Sequence, residues 1–409
     1  MTLDRQEGRA VPGFSDKMHL AVALDGAGWH PAAWREPDAR PTELLTARYW
    51  ADLVAEAERG LLDFVTIEDS LTLQSDDKLR VDQRTDRVRG RLDAVLIAAR
   101  VAPRSRHIGL LPTAVATHTE PFHLSKAIAT LDYVSSGRAG VRVQVAPTPA
   151  AAAHFGRRQV PELPADGFDS PEGRALGDQL LAEAGDYIEV LRRLWDSWED
   201  DAEIRDVTTG RFIDRNKLHY IDFEGQYFSV KGPSITPRPP QGQPVVATLA
   251  HGEAAYRLAA DGADIAFVTP RDADDTTSIG RRIAALQPTG TEPVRMFADL
   301  VVFLADTAEA AAGRRSRLDD LAGAGYVSDA YVFVGTAAEL ADLLQSWHAA
   351  GAAGFRLRPA TLPHDLTQIT TALVPELQRR GVFRDSYPGV TLRDTLGLAR
   401  PANRYSATS

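Results

Sequence analysis

A chain of 409 residues, 44% of them hydrophobic and 25% charged, is long enough to bury a large core and has the balance of a soluble globular protein. The formal net charge of −10 argues against nucleic acid or an anionic membrane surface as a partner, and no apolar run of about eighteen residues offers a membrane span. The lack of any cysteine excludes disulfides, thiolate metal sites, iron–sulfur clusters and cysteine nucleophiles, and fits a reducing, cytoplasmic setting.

Residues 1–17 are polar, carry no apolar core of signal-peptide type and read as a flexible arm. From Met18 onward β-type and helical runs alternate. The strand "MHLAVAL" (18–24) precedes "TELLTARYWADLVAEAERG", whose Leu44, Leu45, Tyr49, Leu53 and Ala57 recur at helical spacing and whose Gly60 is a C-cap. "FVTIED" (64–69), the helix "LDAVLIAARVA", "HIGLLPTA" (107–114), the helix "PFHLSKAIATLDYVSSG" and a strand at 139–146 follow. Between 147 and 243 the rhythm breaks into a long insertion around one amphipathic helix, "DQLLAEAGDYIEVLRRLWDSWEDDA", in which "DSWEDDAE" reads as a solvated helix end. Strands then resume at 244–250, 263–270, 294–305 and 354–360, with an added run at 331–335 outside the main count.

This order predicts an α/β fold, a (β/α)8 TIM barrel over 18–409 with an insertion after strand four. No GxGxxG follows the first strand, which speaks against a Rossmann unit. An active site of such a barrel lies at the C-terminal strand ends. That rule selects Leu24–Trp34, Glu68–Leu71, Pro112–Glu120, Val145–His154, Leu249–Glu253, Val268–Asp272 and Arg356–Arg358.

Several stretches are similar to a known family: "GWHPAAWR", "AERGLLDFVTIEDS", "THTEPFHLSKAIATLDYVSSGRAG", "LWDSWEDDA", "FEGQYFSVKGPSITPRPPQGQPVV" and the tail "LVPELQRRGVFRDSYPGVTLRDTLGL". In order, from about residue 18 to 398, they resemble the bacterial luciferase-like flavin monooxygenases, in the branch with nitrilotriacetate and dibenzothiophene-sulfone monooxygenases. The resemblance implies reduced FMN supplied by a separate NAD(P)H-dependent flavin reductase, O2, a small organic substrate, and association as a homodimer or homotetramer. It also implies flavin contacts at Asp69 and Thr113. The chain departs from the family at Arg142, where asparagine is usual, at Val145 and Ala146 in place of hydroxyl residues, at Leu181 in place of a tyrosine, and at Ala250, His251 and Gly252 in place of a glycine–serine–serine turn.

The residues themselves leave alternatives open. In the strand "GVRVQV", Arg142 alternates against Val141 and Val143, so it belongs inside the barrel if the valines face out. A buried arginine needs a partner. That partner is either an internal carboxylate, with Glu68 and Asp69 nearest, or a ligand's phosphate or carboxylate. Gly252 and the helix start behind it can hold a phosphate through free N–H groups, with His251 adding a donor. His30, between Trp29 and Trp34, and His118 in "ATHTEP" are the catalytic candidates, each with a plain packing or capping role as the alternative. Glu68 and Asp69 are adjacent in a strand and so point to opposite faces. No HExxH, GxSxG or GxxxxGK[ST] pattern occurs, and no metal is expected. Two further functions fit the residues, a deazaflavin-dependent hydride-transfer oxidoreductase and a catalytically silent ligand-binding barrel.

Overall fold

The computed structural model describes residues 17–406 apart from 76, 78 and 165, so the arm expected over 1–17 lies, but for Lys17, outside the described residues. Eight parallel strands close on themselves in chain order: β1 (His19–Leu24), β2 (Phe64–Ile67), β3 (Gly109–Val115), β4 (Gly140–Gln144), β5 (Val245–Leu249), β6 (Ile265–Val268), β7 (Arg295–Leu304) and β8 (Gly354–Pro359). Closure is made where His19 of β1 stands opposite Gly354 of β8. The strand at Tyr331–Gly335 stays outside the ring and pairs with Leu300–Leu304, the upper half of β7.

Each barrel strand is shielded on both faces, which is why apolar residues run almost without a break along it. Ala21, Phe64, Leu111, Val245, Ala247, Phe267 and Phe297 point inward and pack together, whereas Leu20, Val22, Val65 and Ile67 point outward to the helices. Leu392 and Leu396 of the tail join the inward cluster and plug the N-terminal end of the barrel. The opposite end is left for a site.

Local signals set the helices. In α1 (Ala47–Arg59) the Thr46 hydroxyl accepts from the Tyr49 N–H, and Tyr49, Trp50, Leu53, Val54 and Ala57 form the buried stripe. The helix begins five residues later than its apolar period suggests, because Pro41–Glu43 forms a separate 3-10 turn. The other helices used below are α2 (Ala94–Val101), α3 (Pro121–Val134), α4 (Pro171–Asp196), α5 (Glu253–Gly262), α6 (Ala273–Leu286), α7 (Ala308–Ala322) and α8 (Ala337–Ala349).

The insertion is built on α4, which starts at Pro171 behind a Ser170 cap and ends at Asp196. Trp195 donates to the Ser125 carbonyl at 3.0 Å, and Tyr187 shares a 3.0 Å hydrogen bond with Thr119, so α4 is pinned to α3 on the outside of the barrel. The run "DSWEDDAE" is not the solvated end expected of it. Asp196 is buried and pairs with Arg238 at 2.9 Å, while Asp200 holds Arg238 and Arg400 together. Those arginines lie some forty and two hundred residues further on, out of reach of a local pattern. No helix of the described residues is long and apolar enough to cross a membrane.

Candidate active site

A cavity of about 750 Å³ opens at the C-terminal end of the strands, within the usual range for small-molecule and cofactor sites. One wall is the loop after β1, with Trp29, His30 and Trp34. A second is the segment after β2, with Ser70, Thr72, Gln74 and Arg91, and a third is Tyr326–Asp329, between α7 and the outer strand. Of the described insertion residues only Thr148 and Ala150 line it, and most of the covering wall comes from the segment after β2. Arg91 clamps that segment to Asp25 at 2.6 Å, and the Trp34 indole donates to the Asp86 carbonyl at 3.0 Å.

Beneath the cavity the barrel interior is charged. Val141 and Val143 pack outward against α4, and Arg142 points in, where its Nε donates to Thr113 Oγ1 at 2.9 Å and its Nη2 pairs with Glu68. Glu68 also meets Arg356 at 3.3 Å. Arg356 donates to Asp299 at 2.7 Å, Asp299 pairs in turn with Arg358, and Arg358 reaches Asp329 at the rim at 2.9 Å. Positive and negative groups therefore alternate from β4 to the mouth: Arg142, Glu68, Arg356, Asp299, Arg358, Asp329. Burial pulls the Arg142 guanidinium down to about 10, with Glu68 acting the other way, so it stays charged at neutral pH. Burial alone would raise the Asp299 carboxyl; Arg356 and Arg358 outweigh it and hold it below the ordinary range.

The sequence candidates divide. Arg142 and Thr113 touch each other under the cavity, and the arginine's partner is the internal carboxylate Glu68, one of the two alternatives its position leaves. Asp69 turns the other way, accepting from the Ser70 and Ala94 N–H groups at 2.7 and 2.9 Å and so tying the end of β2 to the start of α2. His251 is exposed at the rim, 3.9 Å from Asp329. Gly252 caps α5 with a φ of +101° and no side chain, leaving the first N–H groups of the helix without a side-chain acceptor.

His30 lines the cavity and is fully engaged: it accepts from the Ala32 N–H at 3.1 Å on Nδ1 and donates to Asp319 at 3.1 Å from Nε2. Burial, only partly offset by Asp319, holds its pKa below 6.5. The unfolded chain therefore binds this proton more readily than the fold does, and stability falls as pH drops through 6.5 toward the lowered value. His30→Gln keeps a donor for Asp319 and cannot titrate. Denaturant midpoints measured across that window should fall less steeply for this variant than for the parent; equal slopes would show that His30 does not carry the dependence.

His118 sits past β3, stacked on Phe155 with ring centres 5.5 Å apart, and does not line the cavity. The strand-end rule reaches Ser70, Arg356 and Arg358 without giving them a role, and sequence reading passes over Asp299 and the wall after β2 beyond Leu71. The alternation in "GFRLRP" was the available signal for the two arginines.

A closed parallel barrel with a partly polar, partly apolar chamber at its C-terminal mouth is the architecture of a small-molecule enzyme. The model of the luciferase-like monooxygenases matches residues 27–319, and the chain belongs to that family. It is 30% identical to N-acetyl-S-(2-succino)cysteine monooxygenase of Bacillus subtilis (strain 168), over 95% of this chain and 98% of that protein. It is 29% identical to nitrilotriacetate monooxygenase component A of Aminobacter aminovorans, over 97% and 100%. A crystal structure of a riboflavin lyase with modified FMN and riboflavin superposes with a TM-score of 0.80 at 23% identity, over 96% of this chain and 98% of that one, a likeness of fold.

Proposed function

We propose that this chain is the oxygenase component of a two-component system, taking reduced FMN from a separate NAD(P)H-dependent flavin reductase and using O2 to oxygenate a small organic molecule. The observation that carries the reading is the chamber at the mouth of a luciferase-like barrel. Its donor set fits a flavin. Gln74 Oε1 is buried in the wall without a hydrogen-bond partner among the described residues, and the imide N–H of a flavin ring needs such an acceptor. Trp29, Trp34 and Tyr326 present aromatic surface for a flat ring, and Ser70, Thr72 and Thr148 add short polar groups for its edges.

Reduced flavin supplies the electrons that activate O2. The chain's part is to seat the ring and keep water out. The Arg91–Asp25 clamp holds the covering segment down, and the charged floor fixes the inward side chains from below. Arg142 is occupied by Glu68 and so gives no sign of a cofactor other than FMN.

Anaerobic titration of the purified protein with reduced FMN, and separately with a reduced deazaflavin, tests the reading. Saturable binding of FMN is expected. Binding of the deazaflavin alone would replace it with hydride transfer. FMN bound without O2 uptake above that of free reduced flavin, across a panel of small organic compounds, would make the protein a silent binder. The same measurements in a cytoplasmic extract fraction, with size-exclusion chromatography, would show whether it works as a homodimer or homotetramer.

A further inference from the structure

His118 is held in an unusual way. Its φ is +72°, in the left-handed region that residues other than glycine seldom adopt. The flanks enforce it: Thr117 Oγ1 accepts from the Ala146 N–H at 3.0 Å, and Thr119 Oγ1 donates to the Val115 carbonyl at 2.7 Å. The ring is buried, and its Nδ1 accepts from Arg158 Nε at 3.4 Å, which leaves the proton on Nε2. That Nε2 is buried and has no partner among the described residues.

The neighbouring guanidinium is in the same state. Arg158 gives Nε to His118 and Nη1 to Glu183 of α4 at 2.7 Å, and its Nη2 is buried without an acceptor among the described residues. Two adjoining side chains thus each keep one donor unused, although an unmet buried donor is costly. The strained backbone aims one of them. Burial and Arg158 both lower the His118 pKa, so the imidazole is a neutral donor at neutral pH and Arg158 brings the charge. Glu183 is already engaged by Nη1 and anchors the guanidinium from the side away from the histidine.

We infer that His118 Nε2 and Arg158 Nη2 form an anion subsite at the rim of β3 and β4, made for a phosphate or carboxylate group. Resting on the proposed function, the occupant is the 5′-phosphate of the reduced FMN, and His118 is a binding residue rather than a proton carrier. Phe155, partly exposed at the surface, stacks on the imidazole beside the subsite.

The test compares FMN with riboflavin, which lacks the phosphate, both reduced and anaerobic, on the full chain. The parent should bind FMN more tightly by about tenfold or more, the scale of a charge-assisted hydrogen bond. Arg158→Ala and His118→Asn should bring FMN down to the riboflavin level and leave riboflavin unchanged; asparagine tolerates the left-handed backbone, so the second variant preserves the loop. A parent without the preference, or variants that keep it, would overturn the phosphate assignment. Thermal unfolding in inorganic phosphate and in succinate separates the sources of the anion. If neither flavin binds, a rise in the parent's midpoint that Arg158→Ala abolishes would sustain the subsite while the flavin reading fails. Its absence would overturn the subsite as well.

Discussion

Asparagine in place of Asp299 is expected to destabilise the fold by about 3–5 kcal/mol, the range found when one member of a buried charge pair is removed. Asp299 is wholly buried and accepts from both Arg356 and Arg358. An amide of the same shape removes the charge and turns an NH2 group toward guanidinium donors. Arg356 would be left with Glu68 at 3.3 Å and the face of Phe267, and Arg358 with Asp329 at 2.9 Å. Neither contact replaces a full counter-charge in a water-excluded interior. Since folded domains are stable by only about 5–15 kcal/mol, the loss should be plain in a urea midpoint with an unchanged slope.

The same substitution has a pH signature. Because the folded Asp299 carboxyl lies below its ordinary 3.8, its contribution is complete above that value and disappears as pH falls through the lowered one. Asp299→Asn should therefore flatten the acid limb of the stability profile. Asp329→Asn is the control: its carboxylate is partly exposed at the rim, and its loss should cost about 1 kcal/mol or less. An Asp299→Asn variant as stable as Asp329→Asn would show that the buried ladder does not hold the barrel together.

The contrast between what was legible and what was not follows from how each feature is encoded. The eight strands could be read because each is a short apolar run between helical periods, and even the extra run at 331–335 has the bounds the structure gives it. Arg142 could be placed inside the barrel by its alternation with Val141 and Val143, and Glu68 could be separated from Asp69 by the same rule. The rest of the ladder depends on register. Arg356 meets Asp299 because the two stand directly opposite in β8 and β7, and Arg142 meets Thr113 because β4 and β3 align them. Register and shear are properties of the closed sheet and leave no local mark. Beyond Leu71 the wall after β2 was missed for a related reason. It has no period of its own, and what brings it over the mouth is the distant pair Arg91–Asp25.

A methyl group at Gly28 is expected to damage the site more than any single change in the cavity wall. Gly28 has a φ of +131°, and a Cβ there would stand 2.4 Å from the Ala360 carbonyl oxygen and 2.6 Å from Thr361 Cα. Both obstacles are backbone, so no side chain can rotate away. The loop runs beside the end of β8, with the Trp29 and His30 N–H groups donating to the Pro359 and Ala360 carbonyls at 2.9 and 3.0 Å. Relieving the clash must therefore break the contacts that place Trp29 over Arg358 and His30 against Asp319. Gly28→Ala should weaken reduced-FMN binding by at least about tenfold, equivalent to about 1.4 kcal/mol. Gly26→Ala, in the same loop with φ +49° and its nearest neighbour 3.6 Å away, should bind within about threefold of the parent. If Gly28→Ala binds as the parent does, the flavin does not rest on the β1 loop, and the ring must be sought on the β4–β5 side of the mouth, where His251 and the uncapped start of α5 remain open.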